Sequence, residues 1–314
     1  MSRIHEALKK AEQERAASQG GSQPSEYAST AEVEIPMIPV VEELRSTGTG
    51  VPIGTPLAAM PSFSSQFNLD TLLSRCTPQP WTPDQKTMLF FNGDENSRGM
   101  EEFRTLRSRL YHMREKMTLK KLLITSALPK EGKSFTACNL AQVFVRQHGR
   151  RVLLIDADLR GPRLHLMLGT KPSPGLADYL QGRSDEFAIM QRGPMENLFF
   201  IPSGEEISDP AELVGSGRLQ LLMQRVEPLF DWIIMDSPPA VPVSDASVLA
   251  KACDGVLMVV RSNATPVDMA RRARQEFPET SLVGLVLNGT TAESMPYTRY
   301  YYEGDQKTAT ELKS

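Results

Sequence analysis

The chain has 314 residues, of which 40% are hydrophobic and 23% charged. This is enough for one large or two ordinary globular domains and excludes a small disulfide-stapled fold. The formal net charge of -3 at pH 7 leaves no excess of Lys and Arg for duplex nucleic acid, so no nucleic-acid partner is expected. Cys76, Cys138 and Cys253 lie far apart, without a CxxC or Cys/His pairing. A disulfide framework and a zinc site are therefore not indicated, and a reducing cytosol fits this cysteine usage.

Residues 1–6 are too polar for a secretory signal, so none is expected. No run of about 18 apolar residues occurs in the sequence, and the long uncharged stretch over residues 46–69 is interrupted by prolines and glycines. We therefore expect the chain to reach a membrane only through another protein.

Two segments precede the globular pattern. Residues 1–17 predict a short charged helix because Ile4, Leu8 and Ala11 recur at helical spacing. An isolated helix of this length is marginal in water, so it is either a frayed tail or an element that orders on a partner. Residues 18–85 hold nine of the 23 prolines with little periodicity, which is typical of a disordered linker.

From about residue 86, short apolar runs alternate with helical patterns, which indicates a mostly parallel α/β sheet flanked by helices. The predicted strands are 121–126, 152–155, 198–201, 232–235, 256–260 and 282–287. The predicted helices are 99–115, 133–148, 211–227, 245–252 and 266–276. We expect one domain over residues 86–293, followed by a flexible tail over residues 294–314 that contains tyrosines.

The segment after the first predicted strand matches the phosphate-binding loop GxxxxGK(S/T), except that Ala127 replaces the first Gly. Such a loop points backbone N–H groups at phosphate oxygens, while Lys133 would reach the β- and γ-phosphates and the Ser134 hydroxyl would bind Mg²⁺. A strand-to-helix turn with an incidental Gly-Lys-Ser is the alternative. The expected nucleotide-binding residues are Ala127, Leu128, Pro129, Lys130, Glu131, Gly132, Lys133, Ser134 and Phe135.

Two further predicted strands end in carboxylates. Asp156 and Asp158 follow one strand and Asp236 follows another. The carboxyl ends of parallel strands line the ligand crevice of an open sheet, so these side chains are expected beside the loop. Solvated turns or helix caps are the alternative for each Asp alone. Three strand ends that supply Lys/Ser, Asp-x-Asp and Asp favour a site for a nucleotide and Mg²⁺.

These motifs resemble those of the bacterial tyrosine autokinases of polysaccharide synthesis and export, often called BY-kinases, over roughly residues 95–302. The resemblance depends on the loop 127–134, on Leu154 to Asp158 with the following Leu-Arg-Gly-Pro-Arg, and on Ile233 to Pro239. It implies a P-loop ATPase-type fold and an ATP- and Mg²⁺-dependent protein-tyrosine kinase. It also implies catalytic roles for Lys133, Asp156, Asp158 and Asp236, and metal binding by Ser134, Asp156 and Asp236.

Two other features fit this resemblance. Glu101, Arg104 and Arg107 form an ExxRxxR pattern on a predicted helix, which in the family mediates assembly into a ring. Their alternative is an ordinary solvated helix face. The C-terminal tyrosines resemble the family's autophosphorylation tail, with a disordered end as the alternative. The expected phosphorylation sites are Tyr297, Tyr300, Tyr301 and Tyr302.

The resemblance also implies partners and a location. Without a membrane-spanning segment of its own, the chain resembles the split arrangement that has a separate transmembrane activator, a chain-length regulator. It would then be cytoplasmic and recruited to the inner face of the plasma membrane, with polysaccharide-synthesis enzymes as further substrates. Asn288, after the last predicted strand, resembles the superfamily's reader of the adenine edge; a strand-ending turn is its alternative.

Two competing functions stay open. A partitioning or septum-positioning ATPase of the same superfamily would use ATP as a dimer switch, but it carries a signature Lys where this chain has Leu128. A nucleotide-binding scaffold without kinase activity would not need the full set of Lys133, Ser134 and three aspartates. The sequence favours a tyrosine kinase that phosphorylates its own tail in trans and controls polysaccharide production.

Overall fold

A computed structural model of the chain describes residues 68–76, 78–91, 98–279 and 281–290. Its strands are β1 (Lys121–Ser126), β2 (Val152–Asp156), β3 (Gln191–Arg192), β4 (Leu198–Ile201), β5 (Trp232–Asp236), β6 (Gly255–Arg261) and β7 (Leu282–Asn288). Its helices are α1 (Leu69–Arg75), α2 (Arg98–Arg114), α3 (Lys133–Val145), α4 (Leu164–Leu168), α5 (Leu176–Leu180), α6 (Pro210–Val214), α7 (Arg218–Val226), α8 (Asp245–Ala250) and α9 (Val267–Gln275). A short 3₁₀ helix, Glu227–Leu229, follows α7.

The strands form one sheet in the order β3-β4-β2-β5-β1-β6-β7. All neighbours are parallel except β3, which runs antiparallel to β4. The central strands are buried on both faces, with one apolar cluster on each side of the sheet, whereas the edge strand β7 exposes Leu285 and Leu287. This explains why the central strands are continuously apolar, and it confirms the predicted fold class.

The register of the sheet brings the predicted motifs together. Asp156 at the end of β2 lies directly opposite Asp236 at the end of β5, and Ile124 of β1 also pairs with Asp236. The segment that leaves β1 toward α3 therefore begins beside both carboxylates. This is the crevice at the carboxyl ends of the strands.

The expectation of a disordered linker over residues 18–85 is wrong for its last part. Asn68 caps α1 by accepting a hydrogen bond from Thr71 N at 2.9 Å, and Leu72 of this helix is buried. Residues 78–91, which we call the strap, then cross the domain. Gln79 N donates to Arg192 O at 2.7 Å. The strap is part of the folded unit because several of its apolar residues are buried in the core. Its apolar residues show no periodicity, so the sequence pattern resembles that of a linker.

The strap links the sheet edge at β3 and β4 to α3, the helix that begins at the end of the predicted phosphate-binding loop. Trp81 is buried and packs edge-on against Phe200, with the ring centroids 6.1 Å apart. Further along, Asn139 of α3 accepts from Leu89 N at 2.9 Å and donates to Thr87 O at 2.8 Å. The strap thus supports α3 from outside the sheet.

Other boundaries differ in smaller ways. The helix predicted over residues 211–227 is broken into α6 and α7, because Gly217 precedes α7 with φ +74°, a conformation that favours glycine. The structure also contains β3, α4 and α5, which the sequence patterns do not predict. The predicted helix over residues 1–17 and the tail over residues 294–314 lie outside the described residues.

Candidate active site

The Walker loop, residues 127–134, connects β1 to α3. Lys130 and Gly132 adopt positive φ values of 66° and 99°, and α3 begins directly after Gly132. Glu131 is buried, and its Oε2 accepts from Leu128 N at 2.7 Å. Ala127, which replaces the usual first Gly, is fully buried, so its methyl group is accommodated in the core.

Three contacts tie the Walker loop to the end of the sheet formed by β6 and β7. Glu131 Oε1 accepts from the Thr265 hydroxyl. Arg261 Nη1 donates to Lys130 O at 3.2 Å, and Asn288 Nδ2 donates to Glu131 O at 2.9 Å. Arg261 and Thr265 belong to no motif of the sequence, so the sequence does not predict these two contacts. The Asn288 amide that was predicted to read adenine holds the loop backbone in this structure.

Lys133 lies among the predicted carboxylates. Its Nζ is 2.7 Å from Asp158 Oδ2, 3.8 Å from Asp236 Oδ2 and 3.3 Å from Ser134 Oγ. Burial acts to lower the pKa of the Lys133 ammonium, but the carboxylates of Asp236 and Asp158 outweigh it, so the pKa is raised. Lys133 is therefore held charged at the bottom of the loop.

Asp156 and Asp236 are fully buried. Asp156 Oδ2 accepts from Leu164 N at 3.0 Å and from Arg163 N at 3.2 Å. Within the described part of the chain, Asp156 Oδ1 and both carboxylate oxygens of Asp236 have no hydrogen-bond partner. Burial raises the pKa of both carboxyl groups; for Asp156 the neighbouring Asp236 adds to the increase, and for Asp236 the Lys133 charge opposes it.

These unpartnered oxygens fit a hard cation. Buried carboxylate oxygens without partners are rare unless they are paired or bind metal, and the Ser134 hydroxyl lies in the same cluster beside Lys133. Among the described residues, no three His, Cys, Asp or Glu side chains form a protein-only metal site. That fits Mg²⁺, which usually takes one or two carboxylates and completes its shell with phosphate and water. Ser134, Asp236 and Asp156 are the residues that could hold it.

The Walker loop opens on a cleft of about 490 Å³, which is within the range of small-molecule sites. Phe135 of α3 lies in its wall and packs against Phe103 of α2, with the ring centroids 5.8 Å apart. Arg160, Arg163 and Pro239 also line the cleft. The cleft brings together the predicted nucleotide residues from Pro129 to Phe135, except that Glu131 is turned inward.

The predicted assembly residues lie on α2, which packs against α3. Glu101 is exposed and pairs with Arg104. Arg107 is half-buried and its Nη1 donates to Val143 O at 3.0 Å. Arg107 therefore supports the domain itself, in addition to any role between subunits.

The predicted phosphorylation sites lie in a part of the chain that the structure does not describe. They are Tyr297, Tyr300, Tyr301 and Tyr302. Among the helices that are described, none has the length and hydropathy needed to cross a bilayer.

The chain resembles proteins of known sequence. A family profile described as "AAA domain" matches residues 130–268. The chain is 34% identical over 210 residues to the tyrosine-protein kinase YwqD of Bacillus subtilis, covering 66% of this chain and 88% of that protein. It is 29% identical to the tyrosine-protein kinase wzc of Salmonella typhimurium, over 71% of this chain but 32% of that protein. The chain thus spans most of the first relative and about a third of the second.

Solved structures agree with these relatives. The chimerical protein CapA2B2 matches with a TM-score of 0.61 and 27% identity, over 72% of this chain and 97% of that one. The kinase domain of the Escherichia coli tyrosine kinase ETK matches with a TM-score of 0.58 and 28% identity, over 65% of this chain and 82% of that one.

Proposed function

Because this chain belongs to the family of bacterial tyrosine-protein kinases, we propose that it transfers the γ-phosphoryl group of Mg-ATP to tyrosine hydroxyls of proteins. The observation that carries the proposal is the set of buried Asp156 and Asp236 oxygens that accept no hydrogen bond within the described residues, with Lys133 Nζ as an ion-pair partner 3.8 Å from Asp236 Oδ2. Buried charge of this kind is costly, and a bound metal-nucleotide complex would satisfy it.

In the proposed reaction the phenolic oxygen forms a bond to the γ-phosphorus, and the bond from that phosphorus to the β–γ bridging oxygen breaks. ADP leaves with the electron pair, and the hydroxyl proton passes to a carboxylate and then to solvent. Mg²⁺, when bound by Ser134 and Asp236, supplies charge neutralisation on the phosphates. Lys133 adds a fixed positive charge at the same place, since Asp158 holds its Nζ at 2.7 Å.

Asp156 or Asp158 orients the attacking hydroxyl. A tyrosine hydroxyl has a pKa of about 10, and even the pKa of Asp156, which burial raises to about 8, lies below it, so early proton removal is unfavourable. A loose transition state requires little from the nucleophile, and late proton acceptance is sufficient. Asp156→Asn and Asp158→Asn should accordingly lower kcat more than they weaken nucleotide binding.

A single assay separates this proposal from its alternatives. The purified full chain is incubated with Mg-ATP, with and without a cytosolic segment of a membrane activator, and both phosphotyrosine and ADP are measured. A tyrosine kinase gives both products. ADP without phosphotyrosine would indicate a dimer-switch ATPase, and nucleotide binding without either product would indicate a scaffold. Lys133→Met should abolish phosphotyrosine, while Lys251→Met, which changes an exposed lysine, serves as the control.

The dimer-switch alternative is also disfavoured by the loop. The signature position is occupied by Leu128, whose side chain is half-buried and packs against the core. Lys130 cannot replace the signature Lys, because it lies two positions later. A leucine that packs against the core cannot act as the charged side chain that reaches a partner's phosphate.

We further propose that the chain forms a ring through Glu101, Arg104 and Arg107 and phosphorylates Tyr297, Tyr300, Tyr301 and Tyr302 of a neighbour. Three or four phosphotyrosines would add a charge on the order of -5 to -8. This charge would be repelled by Asp156, Asp158 and Asp236, so phosphorylation would release the tail and the ring. The phosphorylation state would thus control the oligomeric state.

Light scattering tests this mechanism. We expect a large oligomer for the dephosphorylated chain and a monomer for the phosphorylated chain. Arg104→Ala should be monomeric in both states, while Arg109→Ala, an exposed arginine on the same helix, should assemble normally. Arg107→Ala is the poorer test because it also removes the bond to Val143 O. The same mass for both phosphorylation states would refute the mechanism and leave kinase activity in place.

The biological setting follows from the family resemblance. We propose that the chain regulates capsule or exopolysaccharide synthesis and export from the cytoplasmic face of the plasma membrane. A separate transmembrane chain-length regulator would recruit it there. Synthesis enzymes would be further substrates, and no nucleic-acid partner is expected. Co-purification of the chain with membranes that contain the regulator, and its loss when the regulator's cytosolic segment is deleted, would support this setting. Equal recovery from both membranes would contradict it.

A further inference from the structure

Two arginines, Arg160 and Arg163, line the cleft, and they differ in their partners. Arg160 makes a bidentate pair with Asp245, with Nε to Oδ2 at 2.7 Å and Nη2 to Oδ1 at 3.1 Å. Asp245 is buried, so it fixes the Arg160 guanidinium and neutralises its charge. Arg160 is therefore a rigid and electrically compensated part of the wall.

Arg163 is fixed by its backbone rather than by its side chain. Its N–H donates to Asp156 Oδ2 at 3.2 Å, and the next residue, Leu164, donates to the same oxygen at 3.0 Å. Asp156 thereby holds the Cα of Arg163 directly above the acidic motif. The Arg163 side chain is exposed and lines the cleft, and within the described residues it has no ion-pair partner.

Among the described residues that line the cleft, Arg163 is a cation without an ion-pair partner. Lys133 is compensated by Asp158, and Arg160 by Asp245. Lys130 also lacks an ion-pair partner within the described residues, but it belongs to the Walker loop, where phosphate is expected. Arg163 lies on the other side of the acidic motif, away from that loop in sequence.

Another part of the cleft lining, which we call the apolar wall, suits an extended peptide with an aromatic side chain. It includes Pro238, Pro239, Pro242 and Val243, and prolines present a stiff apolar surface with few backbone donors. A tyrosine ring can lie against this wall while its hydroxyl points to the carboxylates. Residues next to that tyrosine would then meet Arg163.

We propose that Arg163 determines substrate specificity by binding an Asp or Glu close to the acceptor tyrosine, so that the preferred substrates are acidic tyrosine segments. This inference rests on the proposed kinase function. Guanidinium–carboxylate hydrogen bonds are stronger than neutral ones and have a defined geometry. The chain itself contains such a segment, in which Glu303 and Asp305 follow Tyr302, and a second copy of the chain would therefore be a suitable substrate.

Peptide kinetics test the proposal. The full chain is given Mg-ATP and a peptide with the sequence of residues 297–305, or the same peptide with Glu303→Gln and Asp305→Asn. We expect KM to be about tenfold lower for the acidic peptide, which corresponds to one charge-assisted contact. Arg163→Gln should remove this preference through KM for the peptide, without a change in KM for ATP. Arg163→Glu should reverse it, favouring a peptide with Glu303→Lys and Asp305→Lys.

The control variant is Arg272→Gln, which changes an exposed arginine on α9 and should keep the preference for the acidic peptide. The inference is overturned, with the kinase function intact, if the unmutated chain phosphorylates both peptides with equal KM. It is also overturned if Arg163→Gln raises KM for ATP or lowers kcat equally for both peptides, because Arg163 would then serve the phosphates.

A binding measurement does not require turnover. Labelled versions of the acidic and neutral peptides with each Tyr changed to Phe are titrated with the full chain, and the anisotropy is measured. Tighter binding of the acidic peptide that is lost in Arg163→Gln supports the inference. Equal binding of both peptides overturns it. Absence of phosphotyrosine on the chain and on every peptide, with peptide discrimination retained, would instead contradict the proposed function.

Discussion

Replacing Lys133 with Met should affect stability as well as catalysis, and the effect should depend on pH. Lys133 Nζ is the nearby positive charge for Asp158 at 2.7 Å and for Asp236 at 3.8 Å. Breaking a buried ion pair by removing one partner costs about 3 to 5 kcal/mol. Met keeps most of the aliphatic stem, so the loss comes mainly from the carboxylates left without a cation.

The sign of the pH dependence follows from the carboxyl groups. Burial raises the pKa of Asp156 and of Asp236 in the folded chain, so the folded state binds protons that the unfolded state releases. Their contribution is complete below the ordinary carboxyl pKa of about 4 and is lost as the pH rises through the raised folded values. Removing Lys133 raises these folded values further. The destabilisation should therefore be small at low pH and large at high pH.

Thermal unfolding measures this difference. For a domain of this size, about 3 kcal/mol corresponds to about 6 to 12 °C in Tm. We expect a loss of this order for Lys133→Met at about pH 8, and less than half of it at about pH 5.5. Lys133→Met/Asp158→Asn should recover part of the loss without recovering kinase activity. An equal loss at both pH values, or an unchanged Tm at about pH 8, would refute the electrostatic argument.

Three other substitutions test features of the fold and the site. Trp81→Ala should destabilise the domain by about 3 to 5 kcal/mol in urea unfolding, as for other large buried aromatics; a residue of a disordered linker would give no change. Gly132→Ala should weaken Mg-ATP binding by calorimetry, since its Cβ would lie 2.0 Å from Asn288 Nδ2 at φ +99°, and normal affinity would contradict the loop geometry. Asn288→Ala should weaken ATP and GTP binding alike if the amide only holds the loop, whereas a selective loss of ATP binding would show that it reads adenine.

The sequence predicts the sheet well where burial is complete. The β1 bounds match those predicted, and the strands that supply Asp156 and Asp236 were each predicted to end within one residue of the observed end. Continuous apolar runs leave few alternatives for residues buried on both faces of a sheet. The position of Lys133 beside the two carboxylates follows from the order of the parallel strands.

The strap could not be predicted in the same way. Trp81, Met88 and Phe90 are buried anchors, but Pro83 and five polar residues separate Trp81 from Met88, so the three anchors follow no single helical or strand period. Their contacts come from residues far along the chain, such as Phe200 for Trp81 and Cys138 for Met88. Only tertiary structure distinguishes such a segment from a linker of the same composition.

The hydrogen bonds that hold the Walker loop could not be predicted from the sequence for a related reason. Thr265 and Arg261 contact Glu131 and Lys130 across more than 130 positions of sequence. The sequence pattern identified Asn288, but it did not predict that its amide would bind the backbone of the loop. Hydrogen bonds of this kind depend on where the ends of β6 and β7 lie relative to the Walker loop. No local periodicity in the sequence predicts that position.

The contact between Asn288 and the Walker loop also sets the reach of the chain that follows. Asn288 is fixed to the nucleotide loop, so the chain that follows it starts beside its own active site. A chain at full extension covers at most about 30 Å from Asn288 to Tyr297 and about 50 Å to Tyr302. If the subunits assemble as proposed, the distance between neighbouring Asn288 residues would select which tyrosines can reach a neighbouring site, and Tyr302 would reach across the widest gap.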